Sequence, residues 1–498
     1  MDAPLTPTPL LRAGIVITAA APVFMGLSAA LQLAREPEPR WLYAFGYALF
    51  AVLLALGAAR GLRKRPGVFL AVLSLAAFGA ALAVALWART EPAAEYERMF
   101  QAAMALRNGQ WDALRRDDYF LVWAYQSGFV LFQALILRVF PAHIVSLLVV
   151  NALVMAGINA ALYLLLRRVC SAEVSILVSV LYLCAPPPYF LASVLTNQHI
   201  SLLCLLLALC FSGRRPVASG ICLALACAMR PDAALAYPAL VISALLLYFC
   251  ERDEPSGKRK WKWRDFLRPR AAPGGLMLSV VTGVAAGLLL SGLVMLSGLN
   301  PYGLENRDPL WKLAVGLNVE SEGRFSFALT DHLMQTHDPA ERAVLEREVI
   351  RDNLSRGAPA MASFLLRKLS RSWREYEPTY WAFYGQEARQ VPLLNRPLGA
   401  VLPVLQQAER LLLLLLALAG AGGLIQAFRR GAKSGTALSG LMTVGFMLIH
   451  LFIEFQPRYR YMLWPFVYLL AAGGFGMIAE ALTKTGRGGA QIDTGRSV

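Results

Sequence analysis

Long, uninterrupted apolar blocks separated by short polar connections set the pattern of this chain. The blocks lack the alternation of a half-buried strand and the single stripe of a soluble helix, so they read as helices apolar on every side. Runs of about 20 apolar residues cross a bilayer, and in lipid only helices and closed barrels satisfy their own backbone. Barrel strands would alternate in segments of about 10 residues, which the chain lacks. The pattern predicts an all-α polytopic membrane protein. About twelve transmembrane helices are expected, near 13–34, 42–59, 67–88, 143–166, 172–192, 199–213, 216–231, 233–250, 275–297, 408–428, 436–453 and 459–481.

Two polar stretches are too long to be simple connections. The first, 89–142, follows the third helix, and the second, 298–407, follows the ninth. Within the first, 119–141 is apolar enough to dip into the membrane interface, with Tyr119, Trp123 and Tyr125 suited to the headgroup level. Within the second, 337–372 reads as one helix that starts at Asp338-Pro339. The organisation is then two N-terminal helices (1–66), a core with the first loop (67–297), the large loop (298–407), and C-terminal helices with a tail (408–498). No internal repeat of the kind found in inverted-repeat transporters is visible.

Composition agrees with this pattern. Of 498 residues, 57% are hydrophobic and 16% charged, and the mean hydropathy is +0.51. A soluble domain carries roughly a quarter charged residues. The formal charge of +16 would fit nucleic acid if it formed a patch. It sits instead in the short connections, at Arg60 to Arg65, Arg167-Arg168, Arg214-Arg215 and Arg429-Arg430, and segment 251–270 alone holds eight Lys/Arg against four acids. That is the positive-inside pattern. It places these connections and both termini in the cytoplasm of a multi-pass plasma-membrane protein and the two large loops outside, and nucleic acid is not an expected partner. The seven cysteines lie in or beside apolar helices without zinc-ligand spacing, which argues against a disulfide framework or a metal site. Met1 to Arg12 leads into the first apolar run without a small-residue cleavage site and reads as the start of an uncleaved helix.

Candidate chemistry gathers in the external segments. Thr90 and Pro92 are start signals for a helix whose first turns carry Glu95 and Glu97. Glu95 is either an ordinary helix-start acid, paired with Arg98 one turn on, or a carboxylate at the membrane surface that accepts a proton. Asp117 and Asp118 are a second acidic candidate and equally a cap for the following helix. Arg230, Arg458 and Arg460 are cations at the external edge, where long side chains snorkel to the interface. Arg230 lies in a tight turn between two apolar helices, where an unpaired charge is costly. Tyr125 and Gln126 in the first loop and His199 at an external turn are candidate substrate contacts. Glu454 is a partner for the Arg458 cluster, and His332 and His337 are too isolated to make a metal site.

The stretch from Pro92 to Gly128, with Glu95, Tyr96, Phe100-Gln101-Ala102-Ala103, Gly109, Tyr119 and Tyr125-Gln126-Ser127-Gly128, resembles the first external loop of the GT-C superfamily of membrane glycosyltransferases. The nearest group is the bacterial protein-mannosyltransferase-like one. Met229-Arg230-Pro231, Trp311 to Ser326, Lys368 to Trp381 and Pro457-Arg458-Tyr459-Arg460-Tyr461 look similar in the same order. The resemblance implies a GT-C-type fold whose first core helix is the third helix here. It also implies a polyprenyl-phosphate-linked sugar as donor, an extracytoplasmic lipid, polymer or protein as acceptor, Glu95 as general base, and Arg230, Arg458 and Arg460 at the donor phosphate, for which their planar forks suit them. Three departures stand out. The loop acid is Glu, separated by Tyr96 from Glu97. Asn197-Gln198-His199 replaces a second acid, which leaves a divalent cation open rather than required. Two helices precede the core. A transporter or flippase for a lipid-linked or anionic substrate, a polysaccharide polymerase or ligase, and a non-catalytic scaffold are the other readings.

Overall fold

The computed structural model describes residues 4–36, 40–250, 272–336, 338–375, 379–392 and 394–489, without the side chains of 379–380 and 482–489. The chain is helical almost throughout. The first three helices are α1 (Pro9–Ala34), α2 (Trp41–Leu62) and α3 (Pro66–Ala88). The first large loop folds as α4 (Glu95–Arg107), α5 (Asp118–Val122) and α6 (Ser127–Val139). The core continues through α7 (Ile144–Val169), α8 (Ala172–Leu183), α9 (Pro186–Leu191), α10 (Gln198–Phe211), α11 (Pro216–Met229), α12 (Ala236–Cys250) and α13 (Ala272–Leu296). The second large loop holds α14 (Trp311–Leu317), α15 (Phe327–Met334), α16 (Pro339–Leu354), α17 (Ala358–Arg374) and α18 (Thr379–Phe383). The chain closes with α19 (Leu398–Arg430), α20 (Ser434–Phe452) and α21 (Trp464–Gly489).

Among the described residues nine helical segments are long and apolar enough to cross a membrane, and the protein is a polytopic helical membrane protein. All twelve expected apolar segments are helical, but three are short: α8, α10 and α11. At 1.5 Å per residue, helices of 12 and 14 residues rise only about 18–21 Å. The expected helix 172–192 breaks at Ala185 before the proline run that begins α9. The expected single helix 337–372 likewise splits, because the chain passes through Gly357 at φ +88° between α16 and α17. Asp338 does cap α16, accepting from the Ala340 N–H at 3.1 Å.

Small residues let the helices approach. The buried face of α2 is Ala44, Ala51, Ala55 and Ala59, against α8, and that of α3 includes Ala77, Ala81, Ala85 and Ala88, against α7. The long α19 lies between α1 and α21, and a Cβ on Gly474 would stand 1.9 Å from the Ala419 carbonyl oxygen. The sequence shows no small-residue seam that stands out, yet one closes the α19–α21 contact inside the monomer.

The basic connections converge on one end. Arg63 meets Glu173 at 3.5 Å, and Arg168 donates to the Leu209 carbonyl at 3.4 Å. Thr6 donates to the Cys250 carbonyl at 3.0 Å, and Pro4–Leu5 pairs antiparallel with Ala432–Lys433. The eight-cation segment 251–270 lies outside the described residues. Loops 89–142 and 298–407 leave from the other end and are clamped together there. The Asn300 amide donates to the Phe120 carbonyl at 2.8 Å and to Ser127 Oγ at 3.0 Å, and the Tyr125 N–H reaches the Glu305 carbonyl at 3.2 Å.

Gly128 seats α6 on α11, since a Cβ there would lie 2.1 Å from the Ala228 carbonyl oxygen. Gly128→Ala is therefore expected to lower stability by roughly 1–3 kcal/mol through overpacking. Gly79→Ala, with open space around it, is expected to be neutral. Thermal unfolding of the two variants in one detergent checks the contrast.

Candidate functional site

Three ion pairs form the polar centre of the loop-bearing end. Glu95 begins α4, and its Oε1 accepts from Arg458 Nη2 at 2.6 Å. Arg458 is 5% exposed. Its Nη1 donates to the Tyr96 hydroxyl, and its guanidinium lies over the Trp381 ring at 4.6 Å. The Gln198 amide donates to the Arg458 carbonyl at 2.7 Å. Arg230 donates to Asp232 at 2.6 Å and to Asn197 Oδ1 at 3.2 Å, with its guanidinium 4.8 Å from the Tyr459 ring centre. Lys312 pairs with Glu454 and donates to the Tyr459 hydroxyl at 3.2 Å. Tyr459 thus touches Arg230, Arg458 and Lys312 and joins the three pairs.

Local backbone explains how Glu95 is presented. The Tyr96 N–H bonds to the Ala93 carbonyl at 3.1 Å, closing a turn with Ala94 at φ +50°, ψ −127°. That is the first central position of a type II′ turn, where glycine is at home. An alanine there stores strain of order 1–3 kcal/mol directly before the acid. The tight turn starts α4 with no side-chain cap, so Glu95 stands at its first position, with a side chain 27% exposed.

The electrostatics follow from burial. Burial alone would raise the Glu454 carboxyl, but Lys312 beside it brings it below the usual range. Behind this pair Lys368 donates to the carbonyls of Gly316, Ile453 and Leu451 at 2.6, 2.7 and 3.0 Å. Two of its N–H groups cap the end of α20 and the third meets the last turn of α14, and burial pushes the ammonium down to about 7. At Gly316 and Gly323, both between Trp311 and Ser326, other segments press in. A Cβ at Gly316 would collide with the Ile453 backbone, and one at Gly323 with the Lys368 side chain.

The candidates from sequence fall into three groups. Glu95, Arg458 and Arg230 come together as described, and Gln126 joins them through Asn197, whose amide lies 3.3 Å from Gln126 Oε1. Tyr125 stands near Lys312 and Arg230. Glu97 and Asp117 line an adjacent open groove with Arg98, and Arg98 lies 3.6 Å from Asp117 rather than pairing with Glu95. Asp117 also caps α5, accepting from the Tyr119 N–H at 2.9 Å, while Asp118 is exposed. The third group is structural. Arg460 donates to the carbonyls of Glu375 at 2.6 Å and Trp373 at 3.3 Å, so it caps the C-terminus of α17 instead of joining Arg458 at the ion pairs. Arg410, fully buried in α19, caps the same two carbonyls. His199 is fully buried, not external. It is held by the Tyr461 hydroxyl at 2.7 Å and the Leu191 carbonyl at 2.8 Å, and burial in the bundle leaves it no access to a substrate. Glu454 pairs with Lys312 rather than with Arg458. His332 is exposed, and His337 lies outside the described residues.

Sequence reasoning missed Lys312, Asp232 and Asn197. Asp232 had a signal, an acid two residues from Arg230 across Pro231. Lys312 had a weaker one, a lone cation between Trp311 and an apolar run. Among the described residues no three His, Cys, Asp or Glu side chains are placed to hold a metal ion. Each acid at the centre already faces a cation, so this donor set does not fit a divalent ion.

The sequence matches no protein-family model, and neither the curated proteins nor the solved structures contain a match to it. The class stated above, a polytopic helical membrane protein, rests on the chain itself.

Lys312→Met leaves Glu454, whose side chain is 1% exposed, as a buried carboxylate without its cation. It is expected to cost roughly 3–5 kcal/mol, while Lys312→Met with Glu454→Met recovers most of that. Ala94→Gly relaxes the turn before Glu95 and is expected to hold or raise the melting temperature, whereas Ala94→Val lowers it. Both series are read by thermal unfolding in detergent.

Proposed function

We propose that this protein is a GT-C-type membrane glycosyltransferase that moves a sugar from a polyprenyl-phosphate-linked donor to an acceptor on the non-cytoplasmic face. The observation that carries the reading is the Glu95–Arg458 pair, with Arg230 and Lys312 beside it, at the end opposite the basic connections. An inverting transfer needs a base at the acceptor hydroxyl and cations at the leaving phosphate, and these residue types stand side by side here.

In this reading Glu95 takes the proton of the acceptor hydroxyl. The freed oxygen attacks the anomeric carbon, and the bond to the polyprenyl phosphate breaks with its electron pair leaving on the phosphate. Arg458 and Arg230 receive that charge. Arg458 has two claims on it, Oε1 of Glu95 at rest and the donor phosphate during transfer. Tyr125 and Gln126 reach the same space from the start of α6. Against a transporter stands the position of these charges, at one end and clustered with the two large loops rather than spread along a path through the bundle.

The orientation is part of the proposal. A cysteine placed at exposed Asp118 is expected to react with a membrane-impermeant maleimide from outside intact cells, and one at Lys433 only after permeabilisation. The reverse labelling would invert the topology. For the chemistry, membranes carrying wild type or Glu95→Gln are given a panel of polyprenyl-phosphate monosaccharides. Transfer is expected to fall about 10²-fold or more in the variant at equal expression. Equal rates would remove Glu95 from the mechanism, and no transfer from any donor would turn the reading toward transport.

A further inference from the structure

Helix α17 (Ala358–Arg374) separates its residues more sharply than its neighbours do. Met361, Phe364, Lys368 and Ser372 are buried against the body of the protein. On one flank Leu366 is 64% exposed, while Leu365 and Leu369 beside it pack against the body of the protein. On the other are Arg367, Arg371 and Arg374, spaced four and three apart and therefore on one face. An exposed leucine on one flank and a row of arginines on the other suit a helix at a membrane surface. Its neighbour supports that depth, for α17 packs on α1, whose last turn carries Gln32.

The basic flank forms one wall of an open cleft. Gln32, Glu322, Arg367, Arg371, Arg374 and Glu375 line it. Arg371 is bound to both acids, at 2.9 Å from Glu375 and in contact with Glu322, and Arg324 takes the same Glu375 carboxylate. The acids are thus committed to Arg371 and Arg324. Among the described residues Arg367 bonds only to Ser363 Oγ, at 2.7 Å, and neither it nor Arg374 has a carboxylate within ion-pair distance. Three guanidinium groups against two carboxylates leave a positive cleft at the bilayer edge. It lies on the outer side of α17, while the carbonyls at the end of that helix are capped from within by Arg410 and Arg460.

We propose that this cleft binds the phosphate of an anionic lipid headgroup, gripped by Arg367 and Arg374 while Leu366 lies among the acyl chains. Guanidinium forks suit phosphate oxygens, and juxtamembrane cations gather anionic lipid. The proposal does not rest on glycosyl transfer and concerns a different face of the loop domain from the Glu95–Arg458 pair.

The test uses the full chain in neutral detergent, with thermal unfolding followed as phosphatidylglycerol, phosphatidylcholine or inorganic phosphate is added. Phosphatidylglycerol is expected to raise the midpoint by about 3 °C or more, as a ligand of the folded state does, and phosphatidylcholine to leave it unchanged. Arg367→Gln with Arg374→Gln is expected to lose at least about half of that shift, and the Arg367→Lys, Arg374→Lys pair to keep part of it. Should the double variant fail to fold, Arg367→Gln alone, at an exposed position, must still reduce the shift. A full shift in the Gln variants, or equal shifts from the two lipids, overturns the proposal. An equal shift from inorganic phosphate alone overturns the lipid and assigns the cleft to a free phosphate.

Discussion

The guanidinium of Arg458 sits where four segments remote in the chain converge. It bonds Glu95 and Tyr96 from the first loop, lies against Trp381 from the second, and its own carbonyl is fixed by Gln198 from the core. A cation 5% exposed in such surroundings is tolerable only if its donors are met and its charge is balanced. Balancing the charge and engaging both Nη groups ties the loops to the bundle, while Nε has no partner among the described residues, so the end of the protein proposed to carry the chemistry is held by a group proposed to take part in it.

The same constraint governs three other buried cations, with a different solution, whereas buried Arg342 pairs with Asp308. Lys368, Arg410 and Arg460 are matched chiefly to backbone carbonyls at helix ends rather than to acids. The last carbonyls of a helix have no partner within it and carry the negative end of its dipole, so a cation placed there answers two needs together. These three residues hold α17 against α19, α20 and the entry to α21. The cations at the proposed site have acid partners, Arg458, Arg230 and Lys312. An acid partner can be exchanged for a phosphate, whereas a carbonyl cap lost from a buried helix end has no substitute.

Legibility differed by scale. The apolar blocks announced every long helix, and the basic connections announced which ends would gather, because both depend on transfer from water to lipid residue by residue. The breaks at Ala185 and Gly357 were less visible. A proline run and a single glycine decide them, and apolar periodicity continues across both. Glu95, Arg230 and Arg458 could be picked from sequence as charges at the edges of apolar runs. Arg460, two residues from Arg458 and of the same type, could not be told apart from it, since a local sequence does not say whether a guanidinium will meet a carboxylate or a carbonyl. His199 looked external for the same reason: its burial comes from Tyr461 and Leu191, which fold over it.

What the sequence determined by itself was a helical bundle in a membrane, its two polar loops, and the residue types available at their edge. The partition of charges, the strained turn before Glu95, the carbonyl caps of α17 and the assembly of three ion pairs around Tyr459 were decided by tertiary structure. Hydrophobic transfer is additive along the chain and can be read locally. The pairing of a buried charge depends on which segments close over it, and those segments lie up to 363 residues apart, as for Glu95 and Arg458.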